Sequence, residues 1–563
     1  MNVLGFNATH DAGCVLLRDG AVALALEEER FSRRKHHYGF PARSLRVAVD
    51  VQGLGFADVD AAAFYWNPYR GLLRFGWHFL RSLPRSLAYL RMQPGIFWDF
   101  VRMEGRLRRE FGFRGRFRFV DHHLAHAASA FYPSVFERAA ILTVDGTGEW
   151  TTTWLGVGEG TRLVALRALG YPHSLGKLYE AITQFLGFRV NGGEGKVMGL
   201  APYGEPRFHR EFARLLRPAA DGFFRLDMRY FRYQHGHPIR YSRALTALLG
   251  PPRPPESEIL DRHRDVAATL QAVVEERMLA LADTLRRLAG SDRLCLAGGV
   301  ALNCVANGRL LRESGFREIF VQPAAHDAGA GFGAALVVAA EAGDEVRRPM
   351  RHAALGLEHD AAACRRALEE AGLEVLRPAD LAGAVADLLA RGRIVGWFQG
   401  RAEYGPRALG SRSILADPRR AEMKDVLNAK VKRREPFRPF APAVLHEAAG
   451  EFFAGLGGAV ESPFMLLAFP VVKAKRPVVP AITHVDGSAR VQTVRAEVQP
   501  LFHALIAAFA RRTGVPVLLN TSFNRRGEPI VERPAEAIDV YLGSEMDALA
   551  LGPYLVRKNG TDA

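Results

Sequence analysis

Two segments of the chain share one pattern, and this repetition constrains the fold more than any other feature of the sequence. The first begins with the apolar run VLGFN and, after the polar turn THDAG, continues as two strands joined at Asp19-Gly20. The second is AAILTVDG, which ends at Asp145-Gly146 and precedes the strand-like segment TTTWLGVGEG. This repeated strand, turn and strand pattern predicts a duplicated α/β core of the kind that binds nucleotides.

The size and composition indicate a soluble protein of at least two domains. The 563 residues suit two or a few domains of roughly 100–250 residues each. Hydrophobic residues make up 48% and charged residues 24%, which excludes a disordered or collagen-like chain. The 75 Lys and Arg exceed the 60 Asp and Glu by 15, and this excess favours anionic or phosphorylated partners. Residues 341–357 are charged and lose helical periodicity, so we place a linker between domains 1–345 and 358–563.

Several common functions and locations are excluded by missing motifs. The cysteines form no CxxC pair, which argues against a zinc ribbon or dithiol redox site and favours a reducing compartment. They are Cys14, Cys295, Cys304 and Cys364. A P-loop and a GxSxG nucleophile elbow are also absent from the sequence. The start of the chain lacks signal-peptide character and no apolar run approaches ~18 residues, so we expect a cytoplasmic protein without a membrane span.

One segment, residues 66–120, differs from the rest of the chain in charge. Between Arg70 and Arg118 it holds twelve arginines and three acidic residues, with aromatic side chains interleaved. The aromatic residues include Trp66, Trp77, Phe79, Trp98 and Phe100. This pattern is typical of a basic surface that touches a membrane or nucleic acid, or of a helical insertion whose aromatics pack inward while its arginines stay solvated. A role in recognising an acceptor molecule is a further interpretation.

A group of histidines and aspartates forms a candidate metal site. In the segment DHHLAH, His122 and His126 are four residues apart and share one face if the segment is helical. Asp145 and Asp327 each follow an apolar stretch and precede glycine-rich sequence, so they are candidates for the remaining ligands. Two imidazoles and two carboxylates suit Fe(II), Mn(II) or Zn(II). The alternative is a hydrogen-bonded histidine pair without a metal.

Two glycine-rich segments could approach phosphate groups. In LAGGVALN, a predicted strand enters Gly298-Gly299 before a helix, and Asn303 could bind ribose or phosphate. The same turn could equally serve packing. In NGGEGKVMGLAPYG the glycine density predicts a loop rather than a regular element, with Lys196 as its cation.

The C-terminal part concentrates cations and polar groups among Gly and Pro. Arginines placed between turn residues and apolar anchors suit bidentate recognition of phosphate and carboxyl-like groups. The candidates are Arg401, Arg407, Arg412, Lys430, Lys432, Arg434, Arg438 and Arg490, with Asn520, Thr521, Ser522 and Asn524 following a strand. We therefore expect a phosphate-binding site here.

Taken in order, these motifs resemble the NodU/CmcH-type O-carbamoyltransferases over nearly the whole chain. The resemblance is carried by DHHLAHAASAFY, TVDGTGEW, GGEGKVMGLAPYG, LAGGVALN, PAAHDAGAGFGAAL, GRAEYGPRALGSRSI and NTSFN. It implies an N-terminal actin/sugar-kinase/Hsp70-like duplicated domain with a basic helical insertion, followed by a YrdC-like α+β domain. It also implies that the C-terminal site joins carbamoyl phosphate to ATP, giving carbamoyladenylate and pyrophosphate. A hydroxyl of a small-molecule acceptor, a natural product or sugar, then attacks the carbamoyl carbon at the N-terminal site, and AMP leaves.

The resemblance assigns roles to individual residues. It implies that the four candidate ligands hold a metal, Fe(II), which binds the nucleotide phosphate, and that His10 belongs to the transfer site. The chemistry requires a general base for the hydroxyl, and our candidate for it is Asp227. The N-terminal nucleotide site is Gly298, Gly299, Asn303 and Lys196. The site for carbamoyl phosphate and ATP with Mg²⁺ is Arg407, Arg412, Lys432, Arg438, Arg490, Thr521, Ser522 and Asn524. We expect no nucleic-acid partner, and a homodimer stays open.

Three other functions remain as alternatives. The charge of +15 prompts a tRNA-modifying enzyme of the threonylcarbamoyladenosine type. A hydrogenase-maturation carbamoyltransferase would carry CxxC zinc motifs, which this sequence lacks. A non-enzymatic phosphate-binding or membrane-peripheral protein would depend on residues 66–120. The acceptor itself cannot be read from the sequence: an aminoglycoside, a macrocycle, a β-lactam precursor and a lipid-linked sugar all fit.

Overall fold

The computed structural model describes residues 1–558, with only the backbone for residues 88–94. The chain divides into two units, each with its own core. The first unit contains Met1–Glu28 and His36–Met350, and the second contains Glu29–Lys35 and the chain from Arg351 onward. The last five residues of the predicted second domain lie outside the described residues.

The first unit contains twelve of the described strands, ten of them in two five-stranded sheets. The strands are β1 (Asn2–Asn7), β2 (Gly13–Arg18), β3 (Ala21–Glu27), β4 (Ala61–Phe64), β5 (Arg116–Phe119), β6 (Arg138–Val144), β7 (Thr151–Glu159), β8 (Arg162–Gly170), β9 (Leu216–Pro218), β10 (Phe224–Leu226), β11 (Arg293–Ala297) and β12 (Glu318–Val321). The strand orders of the two sheets are β3-β2-β1-β4-β5 and β12-β11-β6-β7-β8.

The two sheets have the same topology. In each, the first three strands pair antiparallel, whereas the fourth lies parallel to the first and the fifth parallel to the fourth. The central strands β1 and β6 are almost wholly buried, which their apolar runs explain. The predicted duplicated α/β core is therefore present, and both predicted strand pairs occur where the sequence places them.

Helices surround these sheets. The longest has 29 residues and lies within residues 258–290, where apolar side chains recur at helical spacing. Residues 1–350 contain α1 (Glu28–Ser32, which continues into the second unit), α2 (Ala42–Asp50), α3 (Leu72–Arg81), α4 (Leu87–Val101), α5 (Met103–Phe111), α6 (His122–Phe131), α7 (Leu175–Phe185), α8 (Glu194–Leu200), α9 (His209–Leu215), α10 (Arg243–Leu249), α11 (Asp261–Ala289), α12 (Cys304–Glu313) and α13 (Asp327–Glu341). The expectation that NGGEGKVMGLAPYG is irregular was wrong in part. Helix α8 forms there because the Glu194 carboxylate accepts the N–H groups of Asn191 and Gly192 just before the helix.

Helices α6 and α13 pack closely, and a glycine permits their approach. A Cβ atom at Gly333 of α13 would lie 1.7 Å from the carbonyl oxygen of Ala125 in α6. No side chain fits at that distance. The contact brings the residues at the start of each helix into one region of the first unit.

The second unit is built around a mixed seven-stranded sheet of order β18-β15-β19-β14-β13-β20-β21. Its strands, with the separate pair β16 and β17, are β13 (Val395–Phe398), β14 (Arg412–Ala416), β15 (Ala441–Leu445), β16 (Ala468–Pro470), β17 (Ser488–Arg490), β18 (Gln492–Val494), β19 (Val517–Ser522), β20 (Ala548–Leu551) and β21 (Tyr554–Arg557). Its helices are α14 (Ala361–Glu370), α15 (Leu381–Ala390), α16 (Met423–Val426), α17 (Ala449–Phe452), α18 (Pro500–Thr513) and α19 (Pro534–Leu542). The protein as a whole is a mixed α/β fold. No helix among the described residues combines the length and the apolar character that crossing a membrane requires.

Candidate active site

Two histidines and two aspartates converge in the first unit and form what we call the tetrad. The Nε2 atoms of His122 and His126 each lie 3.0 Å from Oδ2 of Asp145. The same two nitrogens lie 4.0 and 3.9 Å from Oδ1 of Asp327. The four candidate ligand atoms all lie within 4.8 Å of one another, and both imidazoles are fully buried. This set of nitrogen and oxygen donors fits a divalent transition metal.

The tetrad is assembled from three elements that are distant in sequence. The histidines occupy the first and fifth positions of α6, Asp145 directly follows β6, and Asp327 is the first residue of α13. The helical spacing of four places both imidazoles on one face, as the sequence predicts. The close packing of α6 on α13 then brings Asp327 to that face.

A third histidine on the same helix faces elsewhere. His123 has its Nδ1 atom 2.6 Å from the Thr143 hydroxyl and its Nε2 atom 2.9 Å from the Thr151 carbonyl oxygen. Burial lowers its pKa well below the ordinary histidine value, and the nearby histidines lower it further. His123 is therefore a neutral core residue whose two nitrogens are both hydrogen-bonded.

Three residues that sequence reasoning missed support the tetrad. The Glu149 carboxylate accepts the backbone N–H of His122 at 2.9 Å. The Thr9 hydroxyl donates to Oδ2 of Asp327 at 2.8 Å, and the Tyr65 hydroxyl lies 3.3 Å from the same oxygen. Two of the three lie inside motifs that the sequence analysis quotes: Thr9 belongs to GFNATHDAG and Glu149 to TVDGTGEW. Such partners orient the side chains around a metal.

The predicted glycine turn lies beside the tetrad. Gly298 has a positive φ of 88°, and a Cβ atom there would lie 2.3 Å from the Val144 carbonyl oxygen. The backbone N–H of Gly299 points at Oδ1 of Asp145, 3.3 Å away. The turn thus lies next to the candidate metal ligands and holds Asp145 through a backbone N–H group, and its role in nucleotide binding stays a prediction.

The other two predicted nucleotide residues of this unit have defined local partners. The Asn303 side chain caps α12 by accepting the N–H of Ala306, and its amide pairs with Gln271 through two bonds of 3.0 Å. This side chain therefore shapes the turn after β11. Lys196 lies on α8 with its ammonium 5.7 Å from the centroid of the Phe188 ring. Their binding roles stay predictions.

The predicted transfer residue His10 lies in the loop that borders the tetrad. It directly follows Thr9, whose hydroxyl contacts Asp327, and it is exposed. Its Nε2 atom lies 3.1 Å from the Asn191 side-chain nitrogen, and its ring meets that of Tyr38 edge-on. An exposed imidazole at the edge of a buried polar site is well placed to meet a substrate.

The predicted base Asp227 forms an ion pair. Its carboxylate accepts bonds from Nε and Nη2 of Arg229 at 3.0 and 2.7 Å. This pairing lowers the pKa of Asp227 and so weakens it as a base. Its catalytic role stays a prediction.

In the second unit, Lys432 is the centre of a polar site. It ends the π-helical turn Leu427–Lys432, a form of helix that is frequent at functional sites. Its buried ammonium donates to the carbonyl oxygens of Ser522 and Asn524 at 2.7 and 3.0 Å, and to the Asn524 side-chain oxygen at 2.6 Å. Burial lowers its pKa well below the ordinary lysine value. The strand exit NTSFN thus surrounds this cation, and Thr521 precedes Ser522 on β19.

Three arginines lie in the same region as Lys432, and the charge of each affects the pKa of at least one other member of the group. We call this group the cation cluster: Lys432, Arg434, Arg438 and Arg490. Burial lowers the pKa of Arg434 well below its ordinary value, and the charges of Arg438 and Arg490 lower it further. Burial also lowers the pKa of Arg438. The Glu435 carboxylate, 4.0 Å from Arg438, offsets part of the repulsion among these half-buried charges, and a bound polyanion would offset more of it.

Arg407 and Arg412, two of the other predicted arginines, differ in their surroundings. Arg412 is completely buried; its Nη1 donates to the carbonyl oxygens of Gln399 and Gly400 at 2.9 and 3.0 Å. These bonds favour a role in shaping the loop over direct contact with a ligand. Arg407 is half-buried in the loop GPRALGS, and Glu403 holds that loop. The Glu403 carboxylate accepts three backbone N–H groups there, those of Leu409, Ser411 and Arg412.

Comparison with known families decides what kind of protein carries these two sites. A family model described as the carbamoyltransferase N-terminus matches residues 2–336, and one described as the carbamoyltransferase C-terminus matches residues 386–558. The chain belongs to the carbamoyltransferase family. This confirms the family and the enzyme class that the ordered motifs predict.

Three proteins show the sequence similarity of this chain to known relatives, at 37–44% sequence identity. The nodulation protein NolNO of Sinorhizobium fredii is 41% identical over 98% of this chain and 79% of its own length. The nodulation protein NolO of Bradyrhizobium diazoefficiens is 44% identical over 78% of this chain and 79% of its own. The 3'-hydroxymethylcephem-O-carbamoyltransferase of Amycolatopsis lactamdurans is 37% identical over 44% of this chain and 45% of its own.

Proposed function

We propose that the protein is an ATP-dependent O-carbamoyltransferase that works in two half-reactions. In the first, carbamoyl phosphate, ATP and water give carbamoyladenylate, pyrophosphate and inorganic phosphate in the second unit, which we propose is the YrdC-like domain (358–563). In the second, a hydroxyl oxygen of a small-molecule acceptor bonds to the carbamoyl carbon in the first unit, which we propose is the actin-like domain (1–345). The bond to AMP breaks, AMP leaves with the electron pair, and the hydroxyl proton passes to a base.

The cation cluster is the observation that carries the first half-reaction. Carbamoyl phosphate and ATP together bring several negative charges to one place, and only a concentration of positive charge makes that favourable. The buried Lys432 and the half-buried Arg434, Arg438 and Arg490 supply that charge. Arg407, Thr521, Ser522 and Asn524 line the neighbouring loop and strand exit. Mg²⁺ would accompany ATP in this half-reaction.

The tetrad and the glycine turn support the second half-reaction. A divalent metal held by His122, His126, Asp145 and Asp327, for which we propose Fe(II), would supply positive charge for the phosphate of the adenylate. The Gly299 backbone lies beside these ligands and is free of side-chain bulk. His10 orients the acceptor hydroxyl at the edge of this site.

A cavity of about 500 Å³ supports the choice of a ring-shaped acceptor. Its walls include Trp77, Trp150 and Tyr171, with Arg74 and Arg81 beside them. Aromatic faces pack well on the apolar faces of rings, and arginines bind polar substituents. Trp150 directly follows Glu149, the residue that holds His122. We propose that the hydroxylated acceptor, a sugar or other natural product, binds in this cavity.

The two half-reactions can be separated by experiment. Pyrophosphate release from ATP and carbamoyl phosphate, measured without any acceptor, reports the first half-reaction alone. Lys432→Met should reduce this rate at least about 100-fold. Its matched control is Lys430→Met on the same π-helical turn, where the lysine is half-exposed and pairs with Glu545, and that variant should retain the rate.

His10→Asn tests the second half-reaction. It should release pyrophosphate at the parent rate but yield no carbamoylated product when a panel of hydroxylated metabolites is assayed by mass spectrometry. Absence of pyrophosphate release from the parent protein would refute the first half-reaction, and loss of it in His10→Asn would refute the assignment of His10. Carbamoylation of tRNA alone would favour the tRNA-modifying alternative.

A further inference from the structure

Exposed apolar side chains are concentrated in one short segment of the first unit. Among the side chains that the structure describes, eighteen large apolar ones are exposed, and eight of these lie between residues 69 and 98. These eight are Tyr69, Leu72, Leu73, Trp77, Leu80, Leu83, Leu87 and Trp98. Scattered exposed apolar residues are ordinary, but eight within one stretch of thirty residues indicate a surface that something else covers.

Helix α3 shows how this surface is formed, since it is apolar on two opposite sides. Phe79 is 2% exposed and Phe75 stacks against it, so this side anchors the helix to the body of the unit. Leu73, Trp77 and Leu80 follow the three- and four-residue spacing of the other side and are 89%, 66% and 58% exposed. The inward packing expected for an insertion therefore accounts for one side of the helix only.

Positive charge surrounds the exposed stripe. Residues 70–118 hold twelve arginines and three acidic residues. Arg74, Arg81 and Arg85 are exposed and flank the stripe in sequence. The combination of leucine, tryptophan and arginine on one surface is typical of helices that lie in the interface of a membrane. Trp and Tyr prefer the headgroup level of a bilayer, and arginine binds lipid phosphate.

We propose that these eight exposed apolar side chains, with Arg74, Arg81 and Arg85, bind the enzyme to the surface of a bilayer that contains anionic lipids; we call this set of residues the docking face. Charge complementarity selects anionic over neutral lipids. The stripe of leucines selects a membrane over a nucleic acid, because leucine has no partner on a phosphate backbone, whereas it gains free energy in the acyl boundary. Binding at this face would be peripheral. Because Trp77 also lines the cavity proposed for the acceptor, it would bring that cavity to the membrane surface.

Vesicle sedimentation with the full-length protein tests the proposal. The probes are vesicles of phosphatidylcholine alone and vesicles with about 30% phosphatidylserine, at low and high salt. We expect the protein to sediment with the anionic vesicles, with weaker binding as salt rises, and to stay in solution with phosphatidylcholine. In brominated vesicles of the same charge, the fluorescence of the protein should be quenched, and Trp98→Phe should reduce the quenching.

A double variant identifies the surface. Leu73→Ser with Leu80→Ser should weaken binding to anionic vesicles at least about tenfold, because both leucines lose their place in the acyl boundary. The matched control is Leu501→Ser with Leu542→Ser, which changes two leucines of the second unit that are 41% and 51% exposed. This control should bind as the parent does. Both double variants should release pyrophosphate at the parent rate and show the parent melting temperature, since neither pair touches the proposed sites.

Four outcomes would overturn the proposal. The first is no sedimentation of the parent protein with anionic vesicles. The second is equal binding by the Leu73/Leu80 variant. The third is tight binding of a single-stranded RNA that the same variant loses, with no vesicle binding, which would make the face a nucleic-acid surface. The fourth is a parent dimer in light scattering that the variant converts to a monomer, without vesicle binding, which would make the face a contact between two copies.

Discussion

The assignment of metal ligands can be tested by two identical substitutions on one helix. His126→Gln removes a tetrad imidazole, and His123→Gln removes the neighbouring imidazole that faces Thr143 and Thr151. Both histidines are buried, 0% and 3% exposed, so the two variants share their burial, chemistry and helix. The two histidines differ in the direction of their side chains. Of the two, only His126 faces Asp145, with its Nε2 atom 3.0 Å from Oδ2.

The expected magnitude follows from the number of ligands. Binding of a divalent metal by four protein ligands is worth about 10–16 kcal/mol in well-studied zinc sites, or about 3 kcal/mol for each ligand. Losing one of the four candidate ligands should therefore weaken metal binding about 100-fold or more. His123→Gln should leave the affinity within about tenfold, the range of an indirect effect. Its cost should fall on stability instead, about 1–3 kcal/mol, because two buried hydrogen bonds are lost.

The assay combines elemental analysis of the purified proteins with competition against a chelator, and urea unfolding of the metal-free forms measures stability. The expected result is a crossed pattern: His126→Gln loses metal, whereas His123→Gln loses stability. Full metal content in His126→Gln, or equal metal loss in both variants, would refute the assignment of the tetrad.

Three further predictions concern the framework of the protein. Gly333→Ala should destabilise the first unit by about 3 kcal/mol in urea unfolding, because its Cβ atom would lie 1.7 Å from a backbone oxygen. The control Gly76→Ala on α3, where a Cβ atom would have no neighbour within 4 Å, should stabilise the unit by up to about 1 kcal/mol. Burial lowers the pKa of His263 from 6.5 to about 4, so the folded state disfavours the protonated form. The free energy of unfolding should therefore be highest above pH 6.5 and should fall by up to about 3 kcal/mol as the pH falls towards 4. The variant His263→Gln should show a weaker dependence of stability on pH. Glu403→Gln should raise the KM for carbamoyl phosphate in the pyrophosphate assay at least about tenfold, because the charge that binds three loop N–H groups is lost.

Each of these predictions has a result that would contradict it. Equal stability of Gly333→Ala and the parent would mean that the α6 and α13 backbones are not in close contact. An unchanged pH dependence in His263→Gln would mean that His263 is not the buried group that titrates. An unchanged KM in Glu403→Gln would separate the shape of the GPRALGS loop from substrate binding.

Local pattern was enough to predict many elements of this protein. The two strand pairs and the long helix α11 follow from spacing and turn residues, which act over a few neighbouring positions. The order of the motifs also identified the family, because a set of seven in one order is far more specific than any one of them. The exception is α8, where a carboxylate at the helix start outweighs the glycine content that favours a loop.

The direction of individual side chains depends on contacts between distant parts of the chain, and local spacing does not report them. The sequence offers three histidines in DHHLAH, and only packing of α6 against β6 and α13 turns His122 and His126 towards Asp145 and His123 away. In the same manner Lys432, rather than Lys430, is buried against a strand exit ninety residues further along the chain. Leu73 and Phe79 are both apolar residues of α3, yet Leu73 is exposed and Phe79 is buried. The side of the helix that carries Phe79 packs through Phe75 against Trp150 and Tyr171, which lie about seventy to a hundred residues further along the chain.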